Sequence, residues 1–320
     1  MKVFIAGGSG VLGRRLIRQL TARGHSVVAQ VRSTKAEGVV RAAGGEPRNA
    51  DLFDAESLAK AAHGCDTVIH AATAIPTKRK PAPADWAMND HIRRKGTRCL
   101  TEAAAKIDAK TYLQQSIAWI ARPKDESAFD EDSPGVPHPA IQSAIDAERI
   151  AREAGSVDGF AVAILRGGYF YDSESGHTRM LADGLRKRQM PIIGTGDALW
   201  AMIHIDDAAS AFVAVAEHPK NGVWHVVDNE LVTVRALLGA FAARLGAPPP
   251  RRVPIWLARW LAGEQAVAYF TRSTRTTNAR LRRDFEWAPR YPTYREGLDQ
   301  IVAAWNAGST PAAAAPAVAR

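Results

Sequence analysis

A glycine-rich loop near the N-terminus constrains the fold of this 320-residue chain more than any other feature. The apolar run 3–6 leads into the loop 7–13, leucines then recur every four residues up to Leu20, and a second apolar run follows at 26–31. Glycines in a strand–loop–helix turn permit a tight bend and a close approach of the backbone to a pyrophosphate. The helix N-terminus adds free N–H groups for phosphate oxygens. We therefore predict a dinucleotide site formed by Gly7, Ser9, Gly10, Val11, Leu12 and Gly13.

Apolar strands alternate with helical patterns through the first half of the chain. Strands are predicted over 3–6, 26–31, 67–70, 111–115 and 161–165, and helices over 92–107 and 141–153. This alternation predicts an α/β fold, a doubly wound parallel sheet of the Rossmann type. Looser alternation after Gly167 indicates a smaller, interleaved C-terminal substrate lobe. The predicted limits are 1–166 plus about 201–227 for the Rossmann domain, about 167–200 and 228–305 for the substrate lobe, and 308–320 for a disordered, alanine- and proline-rich tail.

The end of the second predicted strand distinguishes the two nicotinamide dinucleotides. An acidic residue there holds the ribose 2′-hydroxyl of NAD, whereas an arginine suits the 2′-phosphate of NADP. This chain has Gln30, Val31, Arg32 and Ser33 at that place, with no carboxylate. We therefore predict that Arg32 selects NADP rather than NAD, the alternative being a solvated surface arginine.

These motifs resemble those of the extended short-chain dehydrogenase/reductase superfamily, in its NAD-dependent epimerase/dehydratase-like branch. The likeness extends over nearly the whole chain, to about Leu298. The spacing of Gly7, Gly10 and Gly13 is similar to the glycine motif of that superfamily, and the segment 165–171 resembles the one that passes the nicotinamide. The segments 203–208 and 278–289 are similar to signatures of its substrate lobe.

The resemblance assigns roles to further residues. It implies that Asp51 and Leu52 contact the adenine and that Ala71 and Ala72 line the cofactor at a strand end. It also places Ser116 at the position of the catalytic serine. The implied activity is the oxidation, reduction or epimerisation of a small molecule.

The chain departs from the superfamily at its acid/base pair. Members carry a tyrosine followed four residues later by a lysine, which holds the ribose and lowers the tyrosine pKa so that the phenol can exchange a proton. Alignment on the flanking residues places Ala140 and Ala144 at these two positions. Since no tyrosine lies between Tyr112 and Tyr169, and no tyrosine in the chain has a lysine four positions later, the pair is missing.

Few other side chains could supply the proton. Tyr169 and Tyr171 lie on the segment implied to pass the nicotinamide, so either could donate it; aromatic packing between the lobes is the alternative. Ser116 could hydrogen-bond a carbonyl, but its ordinary pKa does not make it a general acid. We expect His70 and His204 to be structural. No metal site is predicted, because the histidines and carboxylates lack ligand spacing.

The net charge of +9 is concentrated in the predicted substrate lobe. Ten arginines between 251 and 295 face only three carboxylates, which favours either an anionic substrate or a solvated basic face. Nucleic acid is not expected as a partner, because no recognised binding motif is present. The helical spacing of Trp256 and Trp260 favours lobe core over a membrane anchor. Without a signal peptide or membrane span, and with two cysteines, we predict a cytoplasmic protein that binds a small molecule.

Three functions fit these observations. The first is an NADP-binding oxidoreductase-like protein that acts on a small organic, anionic substrate with a non-standard proton donor. The second is a redox-neutral epimerase, dehydratase or isomerase, and the third is a non-catalytic NADP sensor. The resemblance also implies a homodimer that pairs through helices near 96–105 and 141–154.

Overall fold

The computed structural model describes residues 1–76 and 82–309, apart from the side chains of 265, 266, 308 and 309. The strands of this part, in chain order, are β1 (Lys2–Ala6), β2 (Ser26–Val31), β3 (Glu46–Asn49), β4 (Thr67–His70), β5 (Thr111–Ile117), β6 (Ala161–Gly167), β7 (Tyr169–Tyr171), β8 (Ile192–Ile193), β9 (Leu199–His204), β10 (Gly222–Val226), β11 (Leu231–Thr233) and β12 (Arg252–Val253). The helices are α1 (Val11–Ala22), α2 (Thr34–Ala42), α3 (Ala55–Ala62), α4 (Ala87–His91), α5 (Thr97–Lys106), α6 (Gln142–Asp158), α7 (Gly176–Arg186), α8 (Ile205–Glu217), α9 (Val234–Arg244), α10 (Ile255–Ala262), α11 (Glu264–Thr271), α12 (Ala279–Phe285) and α13 (Tyr294–Ser309).

A seven-stranded parallel sheet forms the larger domain, with the strand order β10-β6-β5-β4-β1-β2-β3. Alternate residues of β1 enter two separate cores, because successive side chains of a strand point to opposite faces. Val3 and Ile5 pack with α1 and α8, while Phe4 and Ala6 pack on the side of α3 and α5. Helices therefore cover both faces, and the predicted doubly wound Rossmann fold is confirmed. The order reverses between β1 and β4, which is where such sheets bind their ligands.

The second lobe contains a three-stranded sheet, in the order β11-β9-β7, and the pair β12-β8. Its core lies between these strands and helices α7, α9 and α13. Strand β9 pairs with β11 and β7 in this lobe, and helix α8 begins at Ile205; the predicted domain limits stay predictions. Helix α12 packs against β10 and α8, and Leu281 and Phe285 enter the Rossmann core. Helix α12, which lies in the segment assigned to the substrate lobe, therefore contacts the core of the larger domain.

Several predicted bounds change in the structure. Strand β3 was not predicted, because this edge strand is polar and contains Pro47, which suits an edge position. The helix predicted over 92–107 consists of a π-helical segment, Ile92–Gly96, followed by α5. Helix α13 continues to Ser309, so the helix includes the first two residues of the predicted tail, and residues 310–320 lie outside the described part.

Helix α10 exposes two tryptophans. Trp256 is 70% and Trp260 80% exposed, whereas only Ala258 of this helix is buried. The prediction that this segment forms lobe core is therefore wrong. Its apolar side chains follow helical spacing, but the tertiary fold leaves that face uncovered by the described residues. No helix within the described ranges is long and apolar enough to cross a bilayer.

Buried polar contacts join the two lobes. Arg15 on α1 contacts Glu174 of the second lobe through Nη2 at 2.8 Å, and its Nε contacts Asp206 of the neighbouring α8 at 3.2 Å. The Asp207 carboxylate accepts the backbone N–H groups of residues 290 and 291 at 2.7 and 2.9 Å. Nε2 of buried His204 lies 3.2 Å from the Gln300 side-chain oxygen. Both residues belong to the second lobe, to β9 and α13, and the structural role expected of His204 stays a prediction.

Candidate functional site

The glycine loop is too tight for side chains. Gly7 has a φ of +89°, and a Cβ there would lie 2.6 Å from the backbone nitrogen of Ala72. A Cβ on Gly13 would lie 2.2 Å from the Gly7 oxygen. The Gly10 N–H donates to that same oxygen over 3.0 Å and closes the turn. Gly7 and Gly13 are therefore required by the backbone of the loop, quite apart from any ligand.

The loop places backbone N–H groups without partners in the helix at the carboxyl edge of the sheet. Helix α1 begins at Val11, and no side chain caps it at Gly10. Its first turn contains no acidic residue, so the N–H groups of Val11, Leu12 and Gly13 face no competing carboxylate from that turn. Ser9 is half-buried beside them. Free N–H groups and the positive end of the helix dipole fit a pyrophosphate.

Arg32 lies exposed just beyond the carboxyl end of β2. It makes no ion pair with any residue of the described ranges. Ser33 caps the next helix by accepting the Ala36 N–H at 3.3 Å. The Gln30 side chain donates to the Ala50 carbonyl at 2.7 Å, in the region where an NAD site has its carboxylate. The local chemistry fits an additional phosphate, and selection of NADP by Arg32 stays a prediction.

The adenine-side residues lie on the next two strand ends. Asp51 is exposed and its Oδ1 accepts the Phe53 N–H at 2.9 Å, while Leu52 is buried against Gly96. The Ala71 N–H donates to the backbone of β1 at 2.9 Å, and Ala72 touches the glycine loop through the close approach described above. The structure thus brings these four residues to the same edge as the loop, and their contacts with a cofactor stay predictions.

His70 precedes these alanines and is fully buried. Burial lowers the pKa of His70 to about 4, and the positive charge of Arg93 acts in the same direction. His70 is therefore neutral at physiological pH, and its Nδ1 accepts the Ala72 N–H at 3.3 Å. This bond holds the strand end in place, as expected for a structural histidine.

Ser116 belongs to a buried charge network that the sequence did not reveal. Its Oγ donates to Oε1 of Glu148 over 2.6 Å. The same carboxylate accepts Nε and Nη2 of Arg166 at 2.9 and 2.8 Å, and Nη2 of Arg152 at 2.9 Å. Parallel pairing of β5 with β6 places Ser116 directly beside Arg166. The only signal in the sequence was an acidic residue one helical turn after Ala144.

This network changes the role expected of Ser116. A serine hydroxyl has a single hydrogen, and Glu148 receives it. In this arrangement Ser116 offers a substrate only its lone pairs. Donation to a substrate carbonyl would require the hydroxyl to leave Glu148, and the catalytic role of Ser116 stays a prediction.

Tyr169 lies within a stack of aromatic rings. Its ring is 4.8 Å from that of Trp119 and 4.4 Å from that of Trp200, centroid to centroid. Burial raises the pKa of Tyr169, and the charge of Arg122 beside the hydroxyl offsets part of this rise. A raised pKa is the opposite of what a general acid needs near neutral pH. The packing supports the structural alternative, although Arg122 places a cation next to the hydroxyl.

Tyr171 lies deeper in the second lobe. Its hydroxyl donates to Oδ2 of Asp228 at 3.0 Å. Helix α13 covers the ring so closely that a Cβ on Gly297 would lie 2.4 Å from the hydroxyl oxygen. Burial and the neighbouring Asp228 raise the pKa of Tyr171 well above its ordinary value. This geometry does not favour Tyr171 as a proton donor.

Alanines stand at both positions of the missing pair. Ala140 is exposed ahead of helix α6, and Ala144 is buried in its first turns.

The arginines of the second lobe do not form one free cationic surface. Half of the ten make ion pairs, namely Arg259, Arg272, Arg280, Arg283 and Arg295. The basic character of this segment is therefore neutralised in part, by carboxylates of the same segment for Arg259 and Arg283 and by carboxylates outside it for the other three.

Comparisons with known proteins agree with this geometry. The model of the NAD dependent epimerase/dehydratase family matches residues 3–227. The chain is 34% identical over 310 residues to a 3-diazoavenalumate denitrifying reductase from a Streptomyces species, covering 93% of this chain and 99% of the relative. It is 27% identical to the 4-hydroxy-2-methyl-3-oxo-4-farnesyl-3,4-dihydroquinoline-1-oxide ketoreductase of Stigmatella aurantiaca, over 96% of this chain and 98% of the relative.

Solved structures share the fold at lower identity. A UDP-glucose 4-epimerase from Thermotoga maritima, crystallised with UDP-glucose, superposes with a TM-score of 0.80 at 18% identity, over 96% of this chain and 99% of that one. A human epimerase family protein crystallised with NADPH gives 0.78 at 21% identity, over 95% and 99%. The family model and the fold agree. The chain belongs to the NAD-dependent epimerase/dehydratase family of the extended short-chain dehydrogenase/reductase superfamily, and it is an NAD(P)-dependent oxidoreductase or epimerase of that type.

Proposed function

We propose that the protein is an NADP(H)-dependent reductase of a small organic substrate. The observation that carries this proposal is the glycine loop with uncapped helix α1 next to an exposed, unpaired Arg32 and no carboxylate at the end of β2. Bound NADPH supplies the hydride. The chain holds the pyrophosphate on the N-terminus of α1 and the 2′-phosphate on Arg32, which leaves the nicotinamide directed towards Ser116.

Direct binding tests the choice of cofactor. Wild-type protein should bind NADPH more tightly than NADH, and Arg32→Gln should remove most of the difference by weakening NADPH alone. Arg41→Gln is a matched control, because Arg41 is also exposed and lies at the far end of the following helix. Equal affinity of the wild type for NADPH and NADH, or a preference for NADH, would refute the assignment.

The absence of the tyrosine–lysine pair bears on which class of substrate the protein reduces. Reduction of a ketone needs a hydride on carbon and a proton on oxygen, whereas Ala140 and Ala144 supply no proton. Replacement of an aryl diazonium group by hydride forms one C–H bond and breaks the C–N bond. The electron pair of the C–N bond leaves with the released N2, so the reaction needs no proton donor. The similarity to a denitrifying reductase of a diazo compound favours this second substrate class.

The two reductions differ in stoichiometry and pH dependence. Enzyme with NADPH should be mixed separately with an aryl ketone panel and with arenediazonium salts, and loss of nicotinamide absorbance followed against an enzyme-free control. A diazonium substrate should release N2 with a rate independent of pH, while a ketone should be reduced more slowly as pH rises. Product without net NADPH consumption would instead indicate the epimerase or isomerase alternative, and tight NADPH binding with no turnover would indicate the sensor.

An anionic substrate is part of the same proposal. Arg122 is half-buried, follows the end of β5 and makes no ion pair with the described residues. It lies beside Tyr169 and the aromatic stack, an arrangement that suits a flat ring carrying a carboxylate. Arg122→Gln should raise KM for carboxylate-bearing substrates and leave KM for their methyl esters unchanged.

Pairing into a homodimer through α5 and α6 stays a prediction, tested by light scattering.

A further inference from the structure

A half-buried arginine lies next to the position of the missing lysine. Arg93 belongs to the π-helical segment Ile92–Gly96, a kind of irregularity often found at functional sites. Its Nη1 donates to Oγ of Ser143 over 3.4 Å. Ser143 directly precedes Ala144 and donates its own hydroxyl hydrogen to Asp90, 2.6 Å away. A guanidinium from a different helix therefore reaches the start of α6.

The charge on Arg93 has no direct counterpart. No carboxylate of residues 1–76 or 82–309 pairs with it within 4.0 Å, and Asp90 reaches it only through Ser143 or over a longer distance. Burial lowers the pKa of Arg93, and Asp90 opposes that change. An arginine stays charged in a protein, so a half-buried guanidinium whose one hydrogen-bond partner is a neutral hydroxyl costs free energy. A ligand with electronegative groups at this point would offset that cost.

A second donor lies one helical turn earlier. Asn89 is fully buried, and its Oδ1 accepts the Ala74 N–H at 3.1 Å, which fixes the orientation of the amide. Its Nδ2 has no hydrogen-bond partner among the described residues. Arg93 also acts electrostatically on His70, the last residue of β4. These donors therefore lie near the end of β4, which continues into Ala71 and Ala72 beside the glycine loop.

We propose that Arg93 holds the nicotinamide ribose of the bound dinucleotide, with Asn89 as a second donor. This inference rests on the proposed NADP(H) function. Ribose hydroxyls accept hydrogen bonds from a guanidinium, which occupies the place that the lysine would fill from Ala144. Because arginine does not release its proton at physiological pH, the site gains a fixed positive charge and no acid. Cofactor binding is thereby separated from proton donation.

Binding of a whole and a truncated ligand tests the assignment. Arg93→Gln should weaken NADPH roughly tenfold or more, as expected for a lost hydrogen bond to a charged group, followed by tryptophan fluorescence. Its affinity for adenosine 2′,5′-bisphosphate, which lacks the nicotinamide ribose, should not change. Arg93→Lys should recover part of the loss. Arg94→Gln is the matched control, since this neighbouring side chain is exposed and pairs with Asp146; it should leave both affinities unchanged.

The outcomes separate this inference from the proposed function. An unchanged NADPH affinity in Arg93→Gln would overturn it. Equal weakening of both ligands, together with a lower Tm, would also overturn it, because the arginine would then serve folding. If the wild-type protein binds adenosine 2′,5′-bisphosphate and NADPH equally well, no residue holds the nicotinamide ribose and the inference fails. If the wild type binds neither, the proposed NADP(H) function fails first.

Discussion

Replacing Glu148 by glutamine should destabilise the protein far more than removing an exposed carboxylate from the same helix. The side chains of Glu148 and Arg166 are only 3% and 5% exposed, and the carboxylate accepts hydrogen bonds from Ser116, Arg152 and Arg166. Glutamine keeps the shape but removes the charge, and its amide nitrogen would face the donors of Arg166. Loss of one partner of a buried ion pair costs about 3–5 kcal/mol of unfolding free energy.

Urea titration of the variant and a matched control measures this difference. Glu153→Gln lies on the same helix and breaks a pair with Arg149 whose side chains are 60% and 58% exposed. Exposed pairs at this spacing contribute about 0.3–0.5 kcal/mol. The expected contrast between the two variants is therefore severalfold in free energy, with the m-value unchanged.

A third variant tests the physical reason. If the cost arises from an unpaired buried guanidinium, the double substitution Glu148→Leu with Arg166→Met should recover much of the lost stability, because apolar replacements of a buried pair are often neutral. Unfolding free energies of Glu148→Gln and Glu153→Gln that agree within about 0.5 kcal/mol would refute the reasoning. So would a double variant that is less stable than Glu148→Gln alone.

Two further predictions concern the glycine loop and the buried Asp228 of the second lobe. Gly13→Ala should abolish NADPH binding in a fluorescence titration, because the new Cβ would lie 2.2 Å from the Gly7 oxygen; retained affinity would contradict the loop geometry. Burial raises the pKa of Asp228 to about 8, against the opposing hydrogen bond from Tyr171. Since the unfolded carboxyl, with a pKa of about 3.9, releases its proton first, wild-type stability should fall between about pH 4 and about pH 8. Asp228→Asn should reduce this fall, measured as the urea midpoint of unfolding at each pH. Midpoints of the wild type and the variant that fall in parallel would contradict the prediction.

The cofactor side of the site could be predicted because its signals are local. The glycine loop, the strand before it and the helix after it are adjacent in the chain, so one short stretch specifies the turn and its free N–H groups. Arg32 is likewise found by its position at the end of a strand. Exposed tryptophans on α10 show the limit of this approach, because helical spacing does not state which face another element will cover.

The substrate side could not be predicted in this way. Glu148 and Arg166 come together because β5 and β6 pair in parallel and α6 packs beside them. Neither residue has a motif that marks it, and the pairing depends on strand register. The same holds for Arg93, whose approach to Ser143 requires the π-helical segment to pack against the start of α6.

By itself, the sequence determined a doubly wound sheet with a dinucleotide loop and the absence of a tyrosine–lysine pair. These properties depend on local spacing or on composition, which no packing alters. Only the tertiary structure decided which groups face one another: it gives the Ser116 hydrogen to Glu148, buries Tyr171 under α13 and brings Arg93 to Ser143, the residue before Ala144. Hydrogen bonds and ion pairs act over a few ångströms in space, and distance along the chain does not reveal them.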